Sequence, residues 1–346
     1  MIDLRSDTLS QPTPEMLATI LSAPLGDDDR THALGRGEDP TVNALEDMAA
    51  HLTGKEAAVL VPSGTMGNTA AVLAQVRPGS ALLVDEQQHL MLSEPYLFDD
   101  AFGRMVARTY RHEADGAPVL GDIECALAAG GIDLICVENT LNFAGGAPLS
   151  AASLSAVAKL AHAAGVRVHM DGARIFNAAV ALGVDVATLC QPVDTVMFCL
   201  SKGLSAPVGS LVCGDQKTVL RVRCARKALG GAMRQAGIIA APGIFALTHL
   251  VDRLAEDHEH ARICADAIAS LKRTPIVGTV STNIVVIDPR PLGVDAARYC
   301  ELAAERGLLI KPVMGTLVRL VFYRGITADD ARAAARVLAD IEASLG

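Results

Sequence analysis

Two apolar runs of strand length end in residues that can do chemistry. Val166-Arg-Val-His-Met-Asp-Gly-Ala-Arg174 carries Asp171, and Val196-Met-Phe-Cys-Leu-Ser-Lys-Gly203 carries Lys202. Each run breaks at polar residues followed by glycine. In an open α/β sheet, ligands bind outside the carboxyl ends of the strands. A lysine at that edge can form a Schiff base, and an aspartate there can keep a pyridine nitrogen protonated. Pyridoxal phosphate (PLP) needs both. Taken singly, Lys202 reads as a surface lysine and Asp171 as a helix cap; only the pair points to the cofactor.

Other residues could complete such a site. Ala57-Ala-Val-Leu-Val61 reads as a strand broken by Pro62-Ser-Gly-Thr-Met-Gly-Asn68, with a helix expected over Thr69–Gln75. Ser63, Gly64 and Thr65 then offer backbone N–H groups and hydroxyls at a helix start, where donors and dipole favour a phosphate. No GxxxxGK[ST] is present, so this is not a P-loop. His89 follows the strand Ala81–Val84 closely enough to stack on a cofactor or move a proton, although a histidine there also suits a helix surface. The basic stretch Arg221–Lys227 and Arg234 either faces solvent or supplies counter-charge to a phosphate. A polar loop from Leu25 to Asp39 is long enough to be a lid or binding loop, or simple surface filler.

These residues need a scaffold of alternating strands and helices. Asp39 caps a helix that starts at Pro40 and runs to Thr53. Strands are expected at 57–61, 81–84, 132–137, 166–170, 195–200 and 208–213, with helices between them, which means a mainly parallel sheet covered on both faces. A long helix is expected from about Pro242 to Ser270. Beyond it, short strands near 276, 283–287, 308–310 and 316–322 alternate with helices at 296–306 and 328–345. The expected fold class is therefore α/β, with a large domain over 1–250 that includes the N-terminal segment and a small α+β domain over 251–346.

The chain has 346 residues, 51% of them hydrophobic, and a formal charge of −9. No apolar run approaches the ~18 residues needed to span a bilayer. There is no basic-then-apolar start of the signal-peptide kind and no Lys/Arg cluster of a nucleic-acid footprint. The eight cysteines lie mostly inside apolar runs without a CxxC, as expected of reduced thiols in a cytoplasmic protein with no metal site.

The ordered constellation resembles the fold-type I PLP enzymes, whose architecture is that of aspartate aminotransferase. Longer motifs narrow the likeness: Asp3-Leu-Arg-Ser-Asp-Thr8, Glu38-Asp-Pro-Thr-Val-Asn43, Asp171-Gly-Ala-Arg-Ile-Phe-Asn177, Ser201-Lys-Gly203 and Met233-Arg-Gln235. Over residues 2 to about 324 the chain is similar to the low-specificity L-threonine aldolases of the aromatic amino acid β-eliminating lyase group. The resemblance implies that Lys202 anchors PLP covalently, Asp171 pairs with its ring nitrogen and His89 stacks on the ring. Ser63, Gly64 and Thr65 would seat the phosphate, while Ser6, Arg174 and Arg319 would hold the substrate carboxylate. Lys227 and Arg234 match basic positions near the cofactor, which they would reach across a subunit interface of a homotetramer. The implied activity is retro-aldol cleavage of a β-hydroxy-α-amino acid to glycine and an aldehyde.

Two departures bear on the substrate. Glu138-Asn-Thr-Leu-Asn142 has Leu141 where the family pattern has a histidine facing the substrate hydroxyl, which leaves His89 or a water as the base. The Asp27–Gly37 loop replaces a short Tyr-Gly turn and brings Arg30, His32 and Arg36. Both suggest a substrate bulkier or differently charged than threonine. The alternatives are a β-eliminating lyase or an amino-acid racemase on the same scaffold, and, from another class, a catalytically idle PLP-fold protein.

Overall fold

A computed structural model describes residues 1–30 and 35–345. At its centre is a seven-stranded sheet in the spatial order Ala57–Val61, Ser210–Gly214, Thr195–Cys199, Arg167–Asp171, Leu134–Glu138, Ala81–Asp85 and Val106–Tyr110. Ser210–Gly214 runs antiparallel to both its neighbours, and the other pairings are parallel. The central strands are buried along their whole length, which is why they read as unbroken apolar runs. Helices on both faces complete the core, including Gly64–Gln75, Ala151–Ala163 and Gln216–Ala228.

A second core lies against a three-stranded antiparallel sheet, Lys311–Val313, Leu317–Val321 and Ile284–Ile287, covered by the helices Leu254–Ile268, Ala296–Glu305 and Ala328–Ser344. The N-terminal strand Ile2–Asp3 pairs in parallel with Leu308–Leu309, and Leu4 is fully buried in this second core. Residues 2–4 are thereby stitched to the C-terminal part of the chain.

Asp39 caps Pro40–Thr53 as its position implied, accepting hydrogen bonds from the Thr41 and Val42 N–H groups at 3.0 Å. The helix expected from Thr69 begins earlier, at Gly64, where Ser63 is the N-cap. The single long helix expected over 242–270 is two helices, Gly237–His249 and Leu254–Ile268, bent by 69°. The first reaches back past Pro242, and the second is opened by Arg253, which pairs one turn on with Asp257. No single helix among the described residues is long and apolar enough to cross a membrane.

Candidate active site

Asp171 is the last residue of its strand, and Lys202 follows the end of the adjacent strand by three residues. The two strands pair in parallel with Asp171 opposite Met197, so acid and amine emerge at one carboxyl edge. Lys202 lines a cavity of about 710 Å³ together with Ser6, His89, Asn142, Arg174 and Arg319. Residues far apart in the chain thus converge. A wider groove of about 820 Å³, lined by Phe176, Val180 and Leu247, contains none of the candidate residues.

Asp171 is buried in a polar lattice. Its Oδ1 accepts the Ala173 N–H at 3.0 Å, and its Oδ2 accepts Asn68 Nδ2 at 2.9 Å. Asn68 Oδ1 lies 3.2 Å from His169 Nε2, and His169 Nδ1 lies 2.9 Å from Thr195 Oγ1, which also accepts from Gln75 Nε2 at 3.0 Å. With the Asn68 amide turned to donate to Asp171, its oxygen needs a donor, so His169 carries its proton on Nε2 and accepts from Thr195. Burial pushes His169 down to about 4, which keeps the ring neutral in this role. Asn68 and His169 have no signal in the sequence, one being an Asn in a helix and the other a His inside an apolar strand.

His89 is the first residue of a short helix, His89–Ser93. Its backbone N–H donates to Glu138 Oε2 at 2.6 Å, and its Nδ1 lies 3.3 Å from Glu94 Oε1. Burial disfavours a charge on the ring, but the Glu94 hydrogen bond and the Asp171 and Glu138 carboxylates outweigh it, so His89 titrates above its ordinary range. Glu138 is fully buried and pushed up to about 7, first by desolvation and then by Asp171. Glu94 is also raised, burial again leading. Phe143 lies parallel to His89, at an angle of 8° with ring centroids 6.4 Å apart.

Two guanidiniums, of Arg174 and Arg319, line the cavity. Arg174 donates from Nε and Nη2 to the Asp7 carboxylate, each at 2.7 Å, and from Nη1 to Asn142 Oδ1 at 3.1 Å. Arg319 donates from Nη1 to the same Asn142 oxygen at 2.6 Å. Its Nε is buried without a partner among the described residues. Burial, and then the neighbouring Arg174 charge, pull Arg319 down to about 10. A buried cation facing another cation, with a spare donor, is a seat for an incoming carboxylate. Ser6 lines the cavity but caps its own turn, accepting from the Thr8 N–H and hydroxyl.

At the start of the helix Gly64–Gln75, Ser63 Oγ accepts the Met66 N–H and Ser63 O accepts that of Gly67. The earlier N–H groups at Gly64 and Thr65 have no intrahelical acceptor and are available to an anion. Gly64 packs closely: a Cβ there would come within 2.7 Å of Cys199 Sγ. An amine, an acid, a helix start and a two-arginine seat at one sheet edge are the donor set PLP and an amino acid require, so the residues fit that cofactor.

Lys227, Arg234 and Leu141 do not line this cavity. Lys227 pairs with Asp29 at 2.9 Å, and Arg234 pairs with Asp27 at 2.9 Å and Asp29 at 3.1 Å, all on the exposed surface of the 27–29 loop. Leu141 is buried in the main core, with its Cδ1 against Gly116. Leu141 does not line the cavity, whose apolar wall includes Leu92, Phe143, Pro312 and Val313. Arg30 and Arg36 are engaged by Glu38 and Asp47, and His32 lies outside the described residues.

The fold and family are shared with known enzymes. The beta-eliminating lyase family matches residues 3–292. The chain is 38% identical to "Probable low-specificity L-threonine aldolase 2" of Arabidopsis thaliana, over 95% of this chain and 94% of that protein. It is 36% identical to the low specificity L-threonine aldolase of Escherichia coli K12, over 95% and 96%. The solved Leishmania major threonine aldolase superposes with a TM-score of 0.80 at 17% identity, covering 99% of this chain and 100% of that one. The carboxyl-edge constellation and these full-length similarities agree: the chain belongs to the beta-eliminating lyase family.

Proposed function

We propose that the protein binds PLP and cleaves β-hydroxy-α-amino acids of the L-threonine type to glycine and an aldehyde. The observation that carries this reading is the single cavity where Lys202, His89, Arg174 and Arg319 meet beside Asp171. Full-length relatives named as L-threonine aldolases support cleavage over elimination or racemisation.

PLP, when bound, supplies an acceptor for the electron pair released as Cα–Cβ breaks. Lys202 would hold it covalently, Asp171 would face its ring nitrogen, and Ser63, Gly64 and Thr65 would receive its phosphate. Arg319 and Arg174 fix the substrate carboxylate, and a bidentate grip there selects which Cα bond is aligned for cleavage. His89 takes the β-hydroxyl proton, with Glu94 orienting the ring, a contribution worth roughly 10²–10⁴-fold. The same reading supports a homo-oligomer, a dimer of dimers, in which exposed Lys227 and Arg234 reach a neighbouring subunit's cofactor site.

Incubation of the PLP-loaded protein with L-threonine, with all products identified, tests the reaction. Glycine and acetaldehyde in equal amounts are expected, and Lys202→Ala should abolish both. Ammonia with a keto acid, or full turnover by Lys202→Ala, would overturn the proposal.

A further inference from the structure

The cavity holds one more cation than a monocarboxylic substrate can use. Lys311 stands directly opposite Arg319 in the antiparallel pairing of Lys311–Val313 with Leu317–Val321. Directly opposed residues project from one face of a sheet with Cβ atoms about 5 Å apart, and like charges in that position are destabilising. Both side chains line the 710 Å³ cavity, as do Arg174 and Lys202, yet among the described residues no Asp or Glu lines it. Arg174 is already neutralised by Asp7. The substrate α-carboxylate answers Arg319, and the cofactor takes up Lys202. Lys311 has no acidic partner among the described residues and is left exposed on the cavity wall beside Pro312 and Met314.

From this geometry we infer that Lys311 is a specificity-determining residue that reads a second negative charge on the substrate, so that the preferred class is β-hydroxy amino acids with a distal carboxylate. The inference rests on the aldolase reading above and deepens it. For β-hydroxyaspartate, the Cα–Cβ bond breaks with its electron pair remaining at Cα, and the β-hydroxyl proton passes to His89. Cβ departs as an aldehyde carbon bearing the carboxylate, and a proton returned to Cα completes glycine. The products are glycine and glyoxylate.

Steady-state kinetics on threonine, phenylserine, β-hydroxyaspartate and the one-carbon-longer 3-hydroxyglutamate provide the test. One of the two dicarboxylic substrates is expected to exceed threonine in kcat/KM by about 10-fold or more, the scale of one charge-assisted hydrogen bond. Lys311→Met should lower the ratio of that kcat/KM to the threonine value by roughly 10–100-fold, mainly through KM, and Lys311→Arg should retain most of it. Succinate, which has two carboxylates and cannot be cleaved, gives a reading independent of turnover. Its calorimetric Kd should rise about 10-fold in Lys311→Met. A Lys311→Met variant that lowers threonine and dicarboxylate turnover equally, or that leaves both ratio and succinate affinity unmoved, overturns the inference while threonine cleavage stands. Failure to form glycine from any of the four substrates overturns the aldolase reading itself.

Discussion

The Asp7 carboxylate holds the Arg174 guanidinium through two parallel hydrogen bonds of 2.7 Å, with both side chains almost wholly buried. Fork-to-fork geometry of this kind fixes orientation as well as charge. It leaves Arg174 Nη1 turned to Asn142, the oxygen that also receives Arg319. Asp7 comes from the N-terminal segment, Asn142 from the loop after the Glu138 strand, and Arg319 from the C-terminal sheet. This two-arginine network therefore depends on three distant parts of the chain.

Asp7→Asn is expected to raise KM for the amino acid by about 10-fold while kcat falls less, because Arg174 loses its rigid hold but remains in the cavity. The variant should also lose about 3 kcal/mol of stability, since breaking a buried pair leaves an uncompensated guanidinium. Steady-state kinetics and denaturant melts read the two effects separately. A wild-type KM would mean that Arg174 needs no help to meet the substrate.

The pH profile should report His89. A protonated ring cannot accept the β-hydroxyl proton, so kcat/KM rises with pH through the His89 pKa. Burial lowers that pKa, but Glu94, Asp171 and Glu138 raise it more, so the acid limb lies above the ordinary histidine value of about 6.5. The stability tied to the raised His89 pKa has the opposite sense: it is present below the ordinary histidine value and is lost as pH rises through the raised one. Glu94→Gln should move the acid limb to lower pH. An unmoved limb would assign the proton to another group.

Asn68 is the bridge between Asp171 and the neutral His169. Asn68→Ala removes one of the two donors to the Asp171 side chain and leaves His169 Nε2 without its acceptor. Cofactor affinity, followed by absorbance titration, should weaken about 10-fold, the scale of one hydrogen bond to a charged group. His169→Gln tests the same lattice from its far end and should have a smaller effect. If neither variant shifts the titration, Asp171 is oriented by the Ala173 N–H alone.

Strand ends and caps were readable because they have local causes. Asp171 and Lys202 terminate apolar runs, and Asp39-Pro40 spells a helix start. The edge strand Val106–Tyr110, mostly exposed, carries no apolar run and so gives no strand signal. The break between Gly237–His249 and Leu254–Ile268 has no local signature, because Leu250–Arg253 contains neither glycine nor proline. There the chain turns to place Leu254 in the main core and Ala261 and Cys264 in the second. The site residues without a local signal, Asp7, Asn68, Glu94, Asn142 and His169, act through side-chain partners from 5 to 276 positions away. No window on the sequence contains most of those pairings.

Asp39 offers a test of the scaffold that is independent of the chemistry. Its Oδ1 accepts the Thr41 and Val42 N–H groups, and its Oδ2 accepts those of Gly26 and Gly237, at 2.9–3.0 Å. One buried carboxylate thus caps the helix Pro40–Thr53, anchors the start of the 26–39 loop and holds the first turn of Gly237–His249. A cap alone is worth about 1 kcal/mol, and each buried N–H left without an acceptor adds about as much again. Asp39→Ala should therefore cost about 3–4 kcal/mol in a denaturant melt, and Asp39→Asn less, because one oxygen survives. Gly237 meets Asp39 so closely that a Cβ there would lie 2.9 Å from its Oδ1, so Gly237→Ala should destabilise in the same direction. A loss under 1 kcal/mol for Asp39→Ala would show that the loop and the two helices are held together without this shared acceptor.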